Sequence, residues 1–429
     1  MFHLGWFVAN GFALQSWNET WSGAGAAEWM TPDLYVDLAR AMERACMDCV
    51  MFEDSSMVPD AYGGSSEHYL KTGQIAPKHD PLPLIPLMGQ QTRHLGLAAT
   101  VSTTFCPPFL LARLMATLDH ITRGRVGCNL VTSSSLRAMQ NYGLDDLIDH
   151  DLRYEMAQEW VDVVNALWRS WEPDAVVADE ERGIYADHTK VHPIEFRGRF
   201  HKVRGPLNTV PSPQGRPVLF QAGGSPAGRA FGARNADIVM ADVMSARAMK
   251  AYRDDIRARR VAGGLDPDAC KVLFLLRVFL GDTAREAEER QQGFRDYEAA
   301  HVERRLAGLS SGSGIDFSKF DLDQPLPVVS TEGHRSVLAD FAAKAQGKTL
   351  REVACLPNKL ELTGTPDGVA AQMGDLMDEV GGDGFLLMNP VLRKTIAEIT
   401  DGLAPTLRRR GLTRSGYNFS RFRDTLLEF

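Results

Sequence analysis

The sequence predicts a closed α/β barrel of the (β/α)8 (TIM barrel) type with insertions. About eight short apolar runs alternate with stretches of helical spacing, and each run is too continuously apolar for a sheet with one wet face. The chain has 429 residues, 44% hydrophobic and 24% charged, which suffices for a barrel and its additions. A doubly wound open sheet is the runner-up, but no GxGxxG follows the first apolar run, so the dinucleotide fingerprint is missing. The whole chain, 1–429, is read as one barrel domain with a surface excursion at about 172–215 and a lid-like insertion at about 307–327.

Taken in order, Phe2 to Ala9 is the first buried strand, broken by Asn10-Gly11. Phe12 to Met30 is loop, rich in tryptophan. Thr31-Pro32-Asp33 opens a helix, with Thr31 as N-cap and Pro32 in the first turn. Cys49 to Phe52 is a second strand ending in Glu53-Asp54-Ser55-Ser56. Pro81 to Gln91 is helical, His94 to Ser102 is a third strand, and Pro107 to His120 is a helix closed by Thr122-Arg123-Gly124. Arg125 to Val131 is a fourth strand, and Asp149 to Trp171 is a long amphipathic helix.

The polar stretch 172–215 comes next. Val218 to Phe220 is a fifth strand, Pro226 to Arg234 a helix, and Asp237 to Ala241 a sixth strand. Ala246 to Val261 is helical, Lys271 to Leu280 is a seventh strand, and Thr283 to Leu306 is helical. Segment 307–327 is poor in apolar residues and full of turn formers. Three helical patterns precede the last strand, Gly384 to Met388, and a final helix begins at Val391.

Composition excludes several function classes. The formal net charge of -8 and pI near 5.8, with no basic stripe, argue against a nucleic-acid binder. No window has the unbroken apolar length of a membrane span, and the N-terminal MFHLGWFVANGF lacks a charged n-region and a cleavage site. Six cysteines include a lone CxxC, Cys46 and Cys49, at a helix-to-strand junction, which reads as core packing in a reducing cytoplasm.

One stretch carries chemistry on its face. Val218 to Phe220 runs into Gln221-Ala222-Gly223-Gly224-Ser225-Pro226 and then a helix. Glycines permit close backbone approach, Ser225 suits the N-cap and Pro226 the first helical position. Free N–H groups and the helix dipole make this an anion site. The other strand ends read Glu53-Asp54-Ser55, Thr100 to Thr104 and Asn129, a polar rim without a nucleophile and its base. No HExxH, GxSxG or P-loop is present. Such a rim borrows its chemistry from a cofactor.

The motifs FEDSS (52–56), LGLAATVSTTFCPPFLLARLMATLDHITRGRVGCNLVTS (95–133), DHDLRYEMAQEW (149–160), QAGGSPAGR (221–229) and LAPTLRRRGLTR (403–414) cover most of the chain in order. With them the chain resembles the bacterial-luciferase-like, flavin-dependent monooxygenases. The matching branch holds the large components of nitrilotriacetate, EDTA and dibenzothiophene-sulfone monooxygenases. The resemblance implies a TIM barrel that binds FMN, with the phosphate at Gly224 and Ser225. Carried over by motif, Asp54, Thr100, Asn129, His150 and Tyr154 would also line the flavin site. Thr103 and Thr104 are alternatives to Thr100. His150 and Tyr154 lie one helical turn apart and share a face.

The chemistry implied is that of a two-component system. A separate NAD(P)H-dependent flavin reductase supplies reduced FMN. This chain then captures O2 as a flavin (hydro)peroxide and inserts one oxygen atom into a small organic substrate, by C–N or C–S cleavage or heteroatom oxidation. A homodimer or homotetramer is expected from the family. The chain departs from many relatives after the first strand: where they carry a Gly-His-His type motif, it reads Asn10-Gly11-Phe12-Ala13-Leu14-Gln15-Ser16-Trp17. No catalytic base is therefore named, although His3, His68 and His79 lie in segments that could reach the site. Phe7, Phe12, Trp17, Met57 and Tyr62 are the candidates for the substrate wall. Two other functions remain open: an enzyme that degrades the flavin itself, and a non-enzymatic flavin-binding protein. A deazaflavin-dependent dehydrogenase matches the motifs less well.

Overall fold

The structure, a computed structural model, describes residues 1–16, 23 and 25–429. Its centre is a ring of eight parallel strands: β1 (His3–Val8), β2 (Cys49–Phe52), β3 (Gly96–Ser102), β4 (Val126–Val131), β5 (Val218–Gln221), β6 (Ile238–Ala241), β7 (Lys271–Leu280) and β8 (Gly384–Leu387). Each pairs with the next in sequence, and β8 closes the ring on β1 with His3 opposite Gly384. All eight are the apolar runs read from the sequence. A helix follows each strand on the outside: α1 (Asp33–Arg44), α2 (Leu84–Gln91), α3 (Pro108–Thr122), α4 (His150–Trp168), α5 (Pro226–Asn235), α6 (Ala246–Ala262), α7 (Pro366–Val380) and α8 (Arg393–Ala397, continued to Arg409).

Strand alternation divides the apolar residues into two layers. Met51, Ala98, Phe220, Met240, Leu275 and Leu386 cluster together inside the ring. Their neighbours Val50, Leu97, Leu219, Val239, Phe274 and Leu387 pack outward with helix residues such as Leu38, Met115 and Val164. This double burial is why the strands read as continuous apolar runs.

The N-terminal end of the barrel is plugged by the tail. Phe422 is fully buried among the inward-facing residues. A Cβ on Gly96 would lie 2.6 Å from its ring, so only glycine leaves room for the plug. Arg414 anchors the tail: its Nε donates to Asp48 Oδ1 at 2.9 Å and its Nη2 to the Thr425 carbonyl at 2.9 Å. Burial alone would raise the Asp48 carboxyl, but His3 and Arg414 hold it below the ordinary range.

Three local expectations need correction. Helix α1 begins at Asp33 with Pro32 as its N-cap, and Thr31 bonds the Asp33 side chain rather than a helix N–H. Helix α4 stops at Trp168. A strand, Leu360–Gly364, stands where only helical patterns were read. Stretch 172–215 carries two small antiparallel pairs, Val176–Asp179 with Ile184–Ala186 and Phe196–Arg197 with Lys202–Val203. Stretch 307–327 begins inside the helix Val302–Ser313, and its Phe317 is fully buried in a satellite core with Leu306, Phe341 and Val353.

Candidate functional site

Parallel strands put all their C-terminal ends on one face, the usual location of chemistry in such a barrel. At the end of β5 the chain turns through Gly223 and Gly224 into α5, whose Ser225 hydroxyl caps the Gly228 N–H at 3.1 Å. The turn is tied down by Gly223 N–H to Gln221 Oε1 (2.7 Å), Tyr252 hydroxyl to the Gly223 carbonyl (3.2 Å) and Arg229 Nε to the Gly224 carbonyl (3.0 Å). A Cβ on Gly223 would meet Gly228 Cα at 2.6 Å and the Tyr154 hydroxyl at 2.8 Å. Glycine is required here because helix α4 presses a tyrosine onto the turn.

Helix α4 brings its own N-terminus to the same place. Asp149 caps it, accepting from Asp151 N at 2.9 Å and Leu152 N at 3.0 Å. His150 is buried, with Nδ1 2.7 Å from Asp151 Oδ1 and its ring 5.3 Å from that of Tyr154. Burial raises the Tyr154 phenol, opposed by hydrogen bonds with Ser225 and Gln221.

A cavity of about 510 Å³ opens between these helix starts, lined by His150, Gly224, Ser225, Ala227, Arg335 and Ser336, among others. Arg335 and Ser336 begin a third helix, Arg335–Lys344, so three helix N-termini face one space. The positive ends of their dipoles favour an anion there. Glu332 already approaches it: its Oε2 accepts from the His150 N–H at 3.1 Å and pairs with Arg335. Arg335 also lies 3.8 Å from Asp149 and 3.7 Å from Asp151. Sequence reasoning missed Arg335, Ser336 and Glu332, because nothing local marks an insertion helix that lands on β5.

Toward the barrel axis, Thr100 and Asn129 form a buried pair. Asn129 Nδ2 donates to Thr100 Oγ1 at 2.8 Å, and Thr100 donates to the Phe52 carbonyl at 2.8 Å. Asn129 Oδ1 is buried without a partner. Thr103 and Thr104 instead tie the loops together, donating to the carbonyls of Val131 (3.2 Å) and Thr132 (2.8 Å). Asp54, at the end of β2, is pushed up to about 7 by burial; Lys78 pulls it down, while Glu53 and Asp80 push it further up. Lys78 itself is held by Glu53 Oε2 at 2.5 Å and Ser55 Oγ at 3.0 Å.

The expected wall residues scatter. Phe7 packs against the inward-facing cluster. Phe12 is buried edge-on to Tyr35 (5.0 Å) and His79 (5.1 Å). Met57 is half-buried, and Tyr62 lies on the satellite core with its ring 5.3 Å from His68. Trp17 lies outside the described residues. His3 begins β1 and pairs with Asp48 at the opposite end of the barrel, so it does not reach this face. His79 is stacked on Trp29 at 4.8 Å.

Residues 4–384 match the model of the luciferase-like monooxygenase family. The chain belongs to that family. Among its luciferase-like relatives, the dimethyl-sulfide monooxygenase of Hyphomicrobium sulfonivorans is 37% identical, over 94% of this chain and 85% of that one. Nitrilotriacetate monooxygenase component A of Aminobacter aminovorans is 33% identical over 91% and 89%. A solved riboflavin lyase, with modified FMN and its substrate riboflavin, superposes with a TM-score of 0.90 at 30% identity, covering 100% of this chain and 96% of that one. This luciferase-like protein is accordingly a reduced-flavin-dependent monooxygenase by class, an oxidoreductase. No helix among its described residues is long and apolar enough to cross a membrane.

Proposed function

We propose that this chain is the oxygenating component of a two-component system. It takes reduced FMN from a separate NAD(P)H-dependent flavin reductase, uses O2, and inserts one oxygen atom into a small organic substrate by C–N or C–S cleavage or heteroatom oxidation. The carrying observation is the convergence of Gly224, Ser225 and His150 on one cavity beside Tyr154. The relative named as a component A supports the reductase, and the FMN in the lyase structure supports the cofactor. Six free cysteines fit a reducing compartment, so we place the protein in the cytoplasm. The family resemblance supports a homodimer or homotetramer, which sedimentation would read directly.

The residues present fit FMN. Close packing of Gly223 on Gly228 sets the turn so that Gly224, Ser225 and the α5 start line the cavity where a phosphate would sit, and the orphaned Asn129 Oδ1 needs a donor such as a ring N–H or a ribityl O–H. When bound, reduced flavin supplies the electrons that activate O2. Ser225, the α5 start and His150 would hold the phosphate. Thr100 holds Asn129 oriented, and Asp54, half protonated near neutral pH, would hold or move a proton at its carboxyl oxygen. The insertion between β7 and α7 would cover the mouth and exclude water.

Anaerobic binding of reduced and oxidised FMN, on wild type and on Ser225→Asp, tests this reading. Tight binding of the reduced form that the aspartate abolishes is the expected result; no binding of either form overturns it. A second reading, in which flavin is itself the substrate, is favoured by the likeness to the riboflavin lyase. Net flavin consumption during turnover would select it.

A further inference from the structure

Strand β7 runs past the rim of the barrel. Lys271 to Phe274 pair with β6 and Leu273 to Leu276 with β8, but Leu276 to Leu280 pair with the added strand Leu360–Gly364. Leu273 and Leu275 face the barrel interior, so alternation puts Arg277 and Phe279 on the same side, above the mouth. Across the extension Arg277 is in register with Glu361 and Phe279 with Thr363. The opposite face, with Val278, Leu280, Leu360 and Leu362, joins the outer core. In the ring β7 stands opposite β3, across the mouth from Thr100.

This inward face is unusually poor in partners. Arg277 Nε and Arg305 Nη1 are buried and unbonded, as is the Thr363 hydroxyl. Among the described residues neither guanidinium forms a hydrogen bond or ion pair. Arg277 lies over the Phe294 ring at 4.4 Å. Arg305 comes from the insertion helix Val302–Ser313. The neighbouring carboxylates offset them only in part. Glu361 is committed to Gln291 Nε2 at 2.8 Å and Arg295 at 3.2 Å. Glu298 attracts both guanidiniums through space without a hydrogen bond to either, and burial raises its carboxyl against that attraction.

Arg153 and Arg253 also keep a buried Nε without a partner, but each has bonds from its other nitrogens, and two further buried arginines are held by several bonds. Arg125 makes five hydrogen bonds, and Arg414 bonds Asp48, Glu428 and a carbonyl. A half-buried guanidinium without a hydrogen bond is costly, so two of them within electrostatic range of each other, with an unbonded hydroxyl on the same face of the extension, mark a place prepared for an anion.

We propose that Arg277, Arg305 and Thr363 form the acid-recognition end of the substrate pocket, and that the substrate carries a carboxylate. A planar carboxylate matches the guanidinium fork. The two nearby glutamates leave too little net positive charge for a phosphate dianion. Calling the occupant a substrate rests on the monooxygenase reading; the anion site does not.

Calorimetric titration with thiodiacetate and with its dimethyl ester tests the proposal on wild type, Arg277→Gln and Arg305→Gln, with FMN affinity and thermal midpoint read in parallel. Wild type is expected to bind the diacid about tenfold or more tightly than the diester, and each variant to lose about tenfold of diacid affinity. FMN affinity should be unchanged and the midpoint unchanged or raised, since a half-buried charge without a hydrogen bond has been removed. Arg305→Lys should restore part of the diacid affinity. Equal binding of diacid and diester, no diacid binding, or variants with lowered midpoints and undiminished diacid affinity would overturn the assignment. Diacid discrimination in a protein that binds no FMN would leave the acid site standing and remove the flavin reading.

Discussion

Asn129 reaches from β4 to the Thr100 hydroxyl on β3 at 2.8 Å and leaves its own carbonyl oxygen without a partner inside the barrel. Thr100→Val would strand the buried Asn129 amide as well. The expected cost is about 1–3 kcal/mol in urea unfolding, with weaker FMN binding because Asn129 is no longer held. Unchanged stability and FMN affinity would show that the pair orients nothing.

Asp54 titrates near 7 because it is buried, so folding takes up a proton there between about pH 4 and pH 7. The native state binds more protons than the unfolded chain in that window. Stability from this group is therefore lost as pH rises from 4 to 7. Relative to wild type, Asp54→Asn should gain stability on going from pH 5 to pH 8. If Asp54 handles a proton, the variant should also lose the inflection near 7 from its pH–rate profile. Parallel stability curves for the two proteins would rule out the buried carboxyl.

Glu332 places a negative charge on the His150 N–H, where an anion is expected. Glu332→Gln should tighten FMN binding about fivefold, on the order of 1 kcal/mol, with the gain shrinking as salt rises. Equilibrium dialysis at two ionic strengths reads this, and weaker binding would mean that Glu332 matters chiefly by holding Arg335.

Gly228→Ala should collapse the anion turn. A Cβ there would lie 2.7 Å from both Gly223 Cα and the Tyr154 hydroxyl. FMN affinity is expected to fall at least about tenfold for a stability loss of about 1–3 kcal/mol. Wild-type affinity would place the phosphate elsewhere.

Phe422→Ala empties the floor of the barrel. A fully buried phenylalanine among Gly96, Phe220 and Leu426 should cost about 3–5 kcal/mol, read by denaturant unfolding. A loss under about 1 kcal/mol would mean that the tail is not part of the core.

Much of this was legible in the residues. The eight barrel strands stood out because strands buried on both faces must be continuously apolar. Ser225 was legible as an N-cap because its bond is local, and the structure places it against Gly228 N–H. His150 and Tyr154 were legible as neighbours because helical spacing alone sets them on one face. The strand Leu360–Gly364 had a signal that went unused: LELTG alternates apolar and polar, as its alternating burial records.

The sequence by itself determined the barrel, the glycine turn at the end of β5 and the family, since these rest on local pattern and contiguous motif. Only the tertiary structure decided that Arg335 and Glu332 meet His150, that His3 belongs to the far end of the barrel, and that Arg277 Nε and Arg305 Nη1 are buried without a hydrogen bond. Those relationships join residues distant in the chain through an insertion whose helices carry no local mark of where they land. Their energies come from burial and from charges brought together on folding.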